Sequence, residues 1–220
     1  MDKYKGIIFD LDGTLLDTIE DISDSVNEAL RLLNYPVHSY EYYKLKLGSG
    51  FKNLLENSFP EDTDEQTILE GLDLFVKIYD DKFQNKTRPY DGVCELLNEL
   101  NKLGIKMGIN SNKRNDYTNQ LVRRFFGDIS FVGVFGEREG IPKKPDPTTA
   151  LEISKLMKLS SEEILYVGDT KIDMLTASNA HFDSIGVLWG FRSYDELAKF
   201  NAKYIVSTPM EIMDIVGSIL

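Results

Sequence analysis

The amino-acid sequence predicts an α/β protein with a mostly parallel sheet, helices on both faces, and a small all-helical domain inserted after the first strand. A short apolar run, Gly6-Ile7-Ile8-Phe9, is typical of a strand that is buried on both faces. Residues 17–85 have helical periodicity with no β-rich run. After Gly92, helical and strand patterns alternate, which is typical of a parallel sheet covered by helices.

The amino-terminal part is predicted to contain one strand followed by four helices. Residues 5–10 form the first strand. In residues 17–33 apolar side chains recur at helical spacing and acids cluster in the first turn, and Tyr35-Pro36 ends the segment. Further helices are predicted over residues 40–47, 50–59 and 64–83.

In the rest of the chain, strands and helices alternate. Strands are predicted at residues 105–110, 131–135, 164–167, 184–188 and 204–206. Helices are predicted over residues 93–103, 116–126, 171–180 and 194–200, and from Pro147 and Pro209 onward. Gly104 suits the end of the first of these helices, and Asp146 is the expected N-cap of the helix that starts at Pro147.

The helical block is expected to form a domain of its own. A block of this kind between the first strand and the next is most simply a separate lobe, here residues 16–87. Residues 1–15 and 88–220 then form the α/β core. Residues 85–92 are rich in turn-forming side chains and predict the linker that returns to the core.

Composition restricts the class of protein. A net charge of -11 argues against a general nucleic-acid or anionic-membrane binder, whose surface is basic. The sequence has no membrane-spanning apolar run and no signal-peptide pattern, so a cytoplasmic protein without membrane contact is expected. The single cysteine, Cys94, fits a reducing compartment and is expected in the core on the apolar face of its helix.

Two acids, Asp10 and Asp12, come directly after the first strand. Residues two apart in an extended chain point the same way, and open α/β sheets bind ligands beyond the carboxyl ends of their strands. Side by side in a dry site, both would stay ionised only if a cation neutralised them. Alone, the pair is more typical of a polar turn at the end of a strand.

Two later segments are expected at the same edge of the sheet. Ser111 and Asn112 follow the strand 105–110, where a hydroxyl and free N–H groups at the start of a helix suit a phosphate oxygen. For Ser111 alone, an ordinary helix N-cap is the alternative. Lys144 precedes Pro145, which holds the lysine backbone in an extended conformation and makes Lys144 a candidate inward-facing cation.

A further acid pair completes the pattern. Asp169 ends the strand 164–167, and Asp173 lies in the first turn of the next helix, where an acid also complements the helix dipole. The four segments together supply carboxylates, a hydroxyl and an ammonium at one edge of the sheet. Oxygen ligands in this number suit Mg²⁺ with a substrate phosphate in its shell, and an aspartate can be a nucleophile toward phosphorus.

In this combination the sequence resembles the haloacid dehalogenase superfamily of phosphohydrolases, in its phosphoglycolate phosphatase-like and β-phosphoglucomutase-like branch. The resemblance covers nearly the whole chain and implies a Rossmann-like core with a helical cap. The motifs that carry it are Asp10-Leu11-Asp12-Gly13-Thr14, Ser111, Lys144 in Lys-Pro-Asp-Pro, Gly168-Asp169 with Asp173, and Gly186-Val187-Leu188-Trp189-Gly190. His181 stands where many relatives have glycine, and histidine tolerates the left-handed conformation expected there.

The resemblance implies a Mg²⁺-dependent phosphatase that acts through an aspartyl-phosphate. Asp10 would attack phosphorus, and Asp12 would protonate the leaving-group oxygen and then activate water. The side chains of Asp10 and Asp169 and the main-chain carbonyl of Asp12 would hold Mg²⁺. An aspartate at position 12 favours phosphoryl transfer over dehalogenation or phosphonate cleavage.

The resemblance also implies roles for the other motif residues. Ser111, Asn112 and Lys144 would bind the phosphoryl oxygens. Asp173 would orient bound waters or Lys144 rather than ligate the metal directly.

The substrate is expected to be a small phosphorylated metabolite chosen by the helical cap. Gly48, Ser49, Gly50 and Lys52 are candidate contacts, and a flexible turn with an exposed lysine is an equal alternative. Phosphoglycolate, a sugar phosphate, a nucleotide and pyrophosphate all remain open, and a monomer or weak homodimer is expected.

Two other classes of function also remain open. One is a hexose-phosphate mutase on the same scaffold. The other is a non-enzymatic phospho-acceptor module, although the plan of such modules lacks a helical insertion after the first strand.

Overall fold

The computed structural model, which describes residues 3–217, is organised around a six-stranded parallel sheet. The strands are β1 (Gly6–Phe9), β2 (Leu16–Asp17), β3 (Arg88–Pro89), β4 (Lys106–Arg114), β5 (Phe131–Glu137), β6 (Ile164–Gly168), β7 (Asp183–Val187) and β8 (Tyr204–Val206). The sheet order is β5-β4-β1-β6-β7-β8, and every neighbouring pair in it is parallel. The predicted α/β fold class is confirmed.

Helices alternate with these strands and also fill the region between β2 and β3. They are α1 (Ile19–Leu32), α2 (Tyr40–Lys46), α3 (Phe51–Ser58), α4 (Glu65–Lys82), α5 (Val93–Lys102), α6 (Asn115–Phe126), α7 (Thr148–Met157), α8 (Lys171–Ala180), α9 (Tyr194–Lys199) and α10 (Glu211–Gly217). A short 3₁₀ helix, Ser161–Glu163, precedes β6 and was not predicted. Among the described residues no helix has both the length and the apolar character needed to cross a membrane.

The central strand β1 is buried on both faces of the sheet. Ile7 and Phe9 belong to the larger apolar core, which also contains side chains of α5, α6 and α10. Ile8 points to the opposite face and belongs to a second core with side chains of α7 and α8. An unbroken apolar run is therefore what this position requires.

Helices α1 to α4 pack on one another beyond the carboxyl edge of the sheet. In α1 the apolar residues recur at helical spacing and are buried, among them Ile22, Val26 and Leu30. Phe75 and Tyr79 of α4 are also fully buried. These helices form a compact block, called here the helical block, and its treatment as a domain spanning residues 16–87 remains a proposal.

A two-stranded antiparallel ribbon joins the helical block to the core. In this ribbon β2 pairs with β3, and Leu16 lies opposite Pro89. The buried carboxylate of Asp21 accepts hydrogen bonds from Lys86 N–H at 2.9 and 3.0 Å, and from the Thr87 N–H and hydroxyl, each at 2.8 Å. The outgoing and returning chains are thus tied together at one side chain.

Strand β4 differs most from the prediction. It was predicted to end at Asn110 and instead runs to Arg114, with a shift of register against β5 between these two residues. The polar sequence Ser111-Asn112-Lys113 does not resemble a buried strand, but all three side chains are buried by tertiary contacts. The alternative that Ser111 is a helix N-cap is wrong, because Arg114 is the N-cap of α6, which begins at Asn115.

Two local expectations were also wrong. Helix α7 begins at Thr148, so Pro147 precedes the helix, and Asp146 accepts a hydrogen bond from the Thr148 N–H at 2.9 Å. Cys94 is exposed because the buried stripe of α5 runs through other positions, starting with Val93. His181 has a φ of 59°, so its predicted left-handed conformation is confirmed.

Replacing Asp21 by Ala is expected to lower the free energy of unfolding by about 3 kcal/mol, because buried N–H groups and a hydroxyl lose their partner. Urea denaturation measures this loss. Asp24→Ala, on the same helix, is the matched control: its carboxylate makes a partly exposed ion pair with Lys86 and accepts an exposed hydrogen bond from the Tyr40 hydroxyl, and its removal is expected to cost about 1 kcal/mol or less. Equal losses in the two variants would contradict the assigned role of Asp21.

Candidate active site

The candidate site lies where the sheet reverses its strand order. From β1 the chain builds β4 and β5 on one side, then returns to build β6, β7 and β8 on the other. Open α/β sheets bind ligands beyond the carboxyl ends of their strands at such a switch point. Asp10 directly follows β1, and Asp169 directly follows β6. The parallel register of these two strands brings both acids to the same edge.

Three buried carboxylates gather at this edge. Asp10, Asp169 and Asp173 each offer an oxygen, and these oxygens lie within 4.8 Å of one another. The buried ammonium of Lys144 lies 2.8 Å from Asp10 Oδ1 and 2.7 Å from Asp173 Oδ1. Among residues 3–217 it is the single cation in direct ion pairs with this cluster. With all three carboxylates ionised, the cluster would carry two negative charges more than positive ones.

Burial and mutual repulsion shift the pKa values in this cluster. Burial raises the pKa of Asp10 although Lys144 opposes the shift, and the charge of Asp173 raises it further. Burial also raises the pKa of Asp169 well above its usual range, with added repulsion from Asp173 and Asp10. Burial would lower the pKa of Lys144, but Asp10 and Asp173 outweigh it and raise that pKa. A divalent cation would offset the repulsion between these carboxylates, so the residues present fit a metal ion.

Two glycines make room for the carboxylate of Asp169. Gly13 has a φ of 86°, and a Cβ there would lie 2.4 Å from Asp169 Oδ2. A Cβ on Gly190 would lie 2.3 Å from Asp169 Cβ. Asp169 Oδ2 accepts a hydrogen bond from the Phe191 N–H at 2.8 Å, and Oδ1 accepts one from the Thr14 hydroxyl at 3.3 Å. The first motif and the Gly190 loop therefore enclose Asp169 from both sides.

Asp173 uses its two oxygens for different partners. Oδ1 accepts from Lys144, while Oδ2 accepts from the Thr170 hydroxyl at 2.7 Å and the Thr170 N–H at 3.1 Å. The bond from the Thr170 N–H is one half of a capping box at the start of α8, whose other half runs from the Asp173 N–H to the Thr170 side chain. The helix start thus fixes Asp173, and Asp173 holds Lys144 next to Asp10.

Ser111 and Asn112 both line the cavity above the acids. The Ser111 hydroxyl accepts a hydrogen bond from the Lys113 N–H at 3.2 Å. The Asn112 amide group donates to the carbonyls of Gly48 at 2.8 Å and Lys144 at 3.1 Å, and its oxygen accepts from the Lys144 N–H at 2.9 Å. The Asn112 side chain therefore ties β4 to two loops. Phosphate binding by Asn112 stays a prediction.

The loop before α3 closes the cavity from the side of the helical block. Gly48 and Gly50 line the cavity together with Asp10 and Asp12, and they have φ values of 122° and 89°. Ser49 lines a neighbouring cavity instead. Lys52 is half exposed and pairs loosely with two glutamates of the helical block. The structure thus brings the two glycines to the acids and leaves Lys52 outside.

Lys113 is a charged residue of the site that was not predicted from the sequence. Its side chain is fully buried, and its Nζ lies 3.0 and 3.2 Å from the two carboxylate oxygens of Asp12. The signal was present in the spacing, because Lys113 follows Ser111 by two residues as Asp12 follows Asp10, and residues so spaced in a strand share a face. This spacing is informative only in a strand, and the polar residues Ser111 to Lys113 did not indicate one.

Arg192 was also missed, and it connects the helical block to the core. It follows β7 in a loop and donates to the carbonyls of Leu47 at 2.9 Å and Leu45 at 3.0 Å, and also to that of Lys44. These carbonyls lie at the end of α2, where backbone acceptors have no partner within the helix. The Arg192 side chain thereby fixes the segment that leads into Gly48.

Comparison with known proteins agrees with this geometry. A phosphoglycolate phosphatase from Vibrio parahaemolyticus is 28% identical over 219 residues, which are 97% of this chain and 96% of that protein. The crystal structure of a candidate phosphoglycolate phosphatase from Lactobacillus delbrueckii subsp. bulgaricus is 32% identical, with a TM-score of 0.92 over 98% of this chain and 99% of that one. A candidate haloacid dehalogenase-like hydrolase from Bacteroides fragilis is 26% identical, with a TM-score of 0.88 over 96% of this chain and 100% of that one.

The family model of the haloacid dehalogenase-like hydrolases matches residues 7–187. The matched range includes the strands β1, β4 and β6 and all of the acids described above. The resemblance and the enzyme class predicted from the motifs are confirmed, and the chain belongs to the haloacid dehalogenase-like hydrolase family.

Proposed function

We propose that the protein is a Mg²⁺-dependent phosphatase that hydrolyses small phosphate monoesters, phosphoglycolate among them, through an aspartyl-phosphate. The observation that carries this proposal is the buried cluster of Asp10, Asp169 and Asp173 around Lys144 at the switch point of the sheet. The relative from Vibrio parahaemolyticus supports phosphoglycolate as a substrate.

Asp10 is the proposed nucleophile. Its carboxylate attacks phosphorus, the bond from phosphorus to the leaving-group oxygen breaks, and that oxygen takes a proton from Asp12. Water then attacks the phosphorus of the aspartyl-phosphate while Asp12 accepts a proton from it. Inorganic phosphate leaves and the Asp10 carboxylate is restored. The two acids line the same cavity, so both are within reach of one substrate.

Lys144 and Ser111 are proposed to hold the phosphoryl group. The Lys144 ammonium already lies beside Asp10, so it can neutralise phosphoryl oxygens as charge moves during the reaction. The Ser111 hydroxyl faces the same cavity and can donate a hydrogen bond to one of these oxygens. Since the Asn112 side chain is engaged with backbone groups, we assign it the task of fixing the Lys144 loop.

Asp10, Asp169 and the main-chain carbonyl of Asp12 are the proposed ligands of Mg²⁺. The uncompensated negative charge of the acid cluster and its all-oxygen donors suit this ion. When bound, the ion would neutralise the acids and the substrate phosphate, so that two anions can approach each other. Asp173 is bound to Lys144 and Thr170, which favours a supporting role over direct ligation.

The helical block, residues 16–87, is proposed as a cap domain that selects the leaving group. Its Gly48–Gly50 loop lies over the acids, and the cavity below the loop is small, about 30 Å³. A small leaving group fits this space best. The β2–β3 ribbon is the proposed hinge, because the chain crosses between the two domains there.

The two alternative functions have less support. A relative or a cap contact that indicates a sugar phosphate would support a hexose-phosphate mutase. The relatives named above are phosphatases or hydrolases. A phospho-acceptor module is disfavoured by the helical block inserted after β1.

Replacing Asp10 by Asn is expected to lower the release of phosphate from 2-phosphoglycolate at least about a thousand-fold, because the nucleophile is lost. A screen of small phosphate esters with Mg²⁺ measures both this loss and the preferred substrate. Asp183→Asn is the matched control, since this carboxylate starts β7 at the opposite edge of the sheet and should leave turnover unchanged. Full activity of the Asp10 variant would overturn the mechanism.

Mg²⁺ is expected to stabilise the wild-type protein against heat, because it binds the folded acid cluster. The gain is about 2.7 kcal/mol when Mg²⁺ is at 100 times its Kd, and differential scanning fluorimetry reports it as a higher Tm. Asp169→Asn is expected to lose most of this gain, whereas the Asp183→Asn control keeps it. A Tm of the Asp169 variant that rises with Mg²⁺ as the wild-type Tm does would exclude Asp169 as a ligand.

A further inference from the structure

Lys113 is a buried lysine outside the motifs that define the proposed reaction. It lies near the end of β4, and its side chain has no exposed surface. Its ammonium contacts both carboxylate oxygens of Asp12, at 3.0 and 3.2 Å. Burying an ammonium is costly unless a close partner compensates it, so this pair defines the position of both side chains.

Two aromatic rings of the helical block complete the surroundings of this ammonium. The Lys113 Nζ lies 5.2 Å from the centre of the Phe51 ring and 5.1 Å from the centre of the Tyr79 ring. These are distances at which a ring attracts a cation, and the attraction grows when water is excluded. Phe51 is the first residue of α3, and Tyr79 belongs to α4. The ammonium is thus held between an acid of the core and two rings of the helical block.

We propose that Lys113 is a positioning residue that holds the Asp12 carboxylate where it can exchange a proton with the leaving-group oxygen, and that Phe51 and Tyr79 hold Lys113 in place. The inference rests on the proposed acid–base role of Asp12. Each of the two buried lysines then positions different acids: Lys144 pairs with Asp10 and Asp173, and Lys113 pairs with Asp12.

The contacts favour positioning over direct recognition of the substrate. A single ammonium faces both oxygens of Asp12, which fixes the orientation of the carboxylate as well as its place. The rings of Phe51 and Tyr79 lie on the ammonium and leave it little free surface. Through this contact two rings of the helical block act on the ammonium that holds the acid–base residue.

This role has a chemical consequence that a general structural role would not have. An alkyl phosphate has a poor leaving group, which needs a proton as its bond to phosphorus breaks. The leaving group of p-nitrophenyl phosphate is good and needs little help. Hydrolysis of the aspartyl-phosphate is common to both substrates, so the difference lies in the first step: a misplaced Asp12 should slow release of the alkyl leaving group much more than release of p-nitrophenol.

The test compares these two substrates in Lys113→Met, which keeps the length of the side chain and removes its charge. In single turnovers at saturation, we expect the rate constant for release of the leaving group to fall about 100-fold for 2-phosphoglycolate and less than about 5-fold for p-nitrophenyl phosphate. Lys113→Arg, which keeps the charge, should recover a large part of the loss. Phe51→Leu leaves Lys113 and Asp12 intact and should show the same selectivity to a smaller degree, so it also serves if Lys113→Met does not fold.

Asp12→Asn, measured in parallel, distinguishes a failure of the role proposed for Asp12 from a failure of the role proposed for Lys113. If Asp12→Asn slows leaving-group release from both substrates equally, the role of Asp12 as proton donor fails and the inference fails with it. If Asp12→Asn is selective but neither Lys113→Met nor Phe51→Leu is, the role of Lys113 alone is overturned. A Lys113→Met variant that raises KM for 2-phosphoglycolate with an unchanged kcat would also overturn it, because Lys113 would then bind the substrate.

Discussion

The concentration of buried negative charge at one point of the sheet is the constraint on which the rest of the structure depends. Three carboxylates share one ammonium there, and an isolated buried charge is too costly to persist without partners. The surrounding features supply those partners or make room for them. Gly13 and Gly190 admit Asp169, and the start of α8 fixes Asp173. This arrangement fits the proposed binding of a cation and a phosphate.

Different surroundings support the different tasks proposed for two acids that are only two residues apart. Asp10 is deeply buried and contacts Lys144 on the side of the other acids. Asp12 is more accessible and contacts Lys113 on the side of the helical block. A nucleophile next to the metal ligands and a proton donor facing the leaving group are what a two-step displacement requires. The helical block therefore contacts the lysine that pairs with Asp12, and Asp12 is the acid proposed to protonate the leaving group.

The sheet, the helices of the helical block and the acid cluster could be predicted from the sequence, because apolar runs and helical periodicity are local patterns. It was insufficient for Lys113 and Arg192. Both residues are polar side chains that acquire their meaning from partners distant in the chain, Asp12 and the end of α2. The same cause explains β4, where Ser111 to Lys113 form part of a strand because tertiary contacts bury them. For Lys52 the sequence left a substrate contact and an exposed lysine equally open, and the side chain pairs with two glutamates of the helical block.

The central claim is that phosphate passes through an aspartate of the enzyme before water receives it. The stereochemical course at phosphorus tests this claim most directly, with a phosphate ester made chiral by oxygen isotopes and an acceptor alcohol in place of water. Two successive in-line displacements invert the configuration twice, so the account predicts overall retention. Overall inversion would mean that the acceptor attacks the substrate directly, and it would contradict the account.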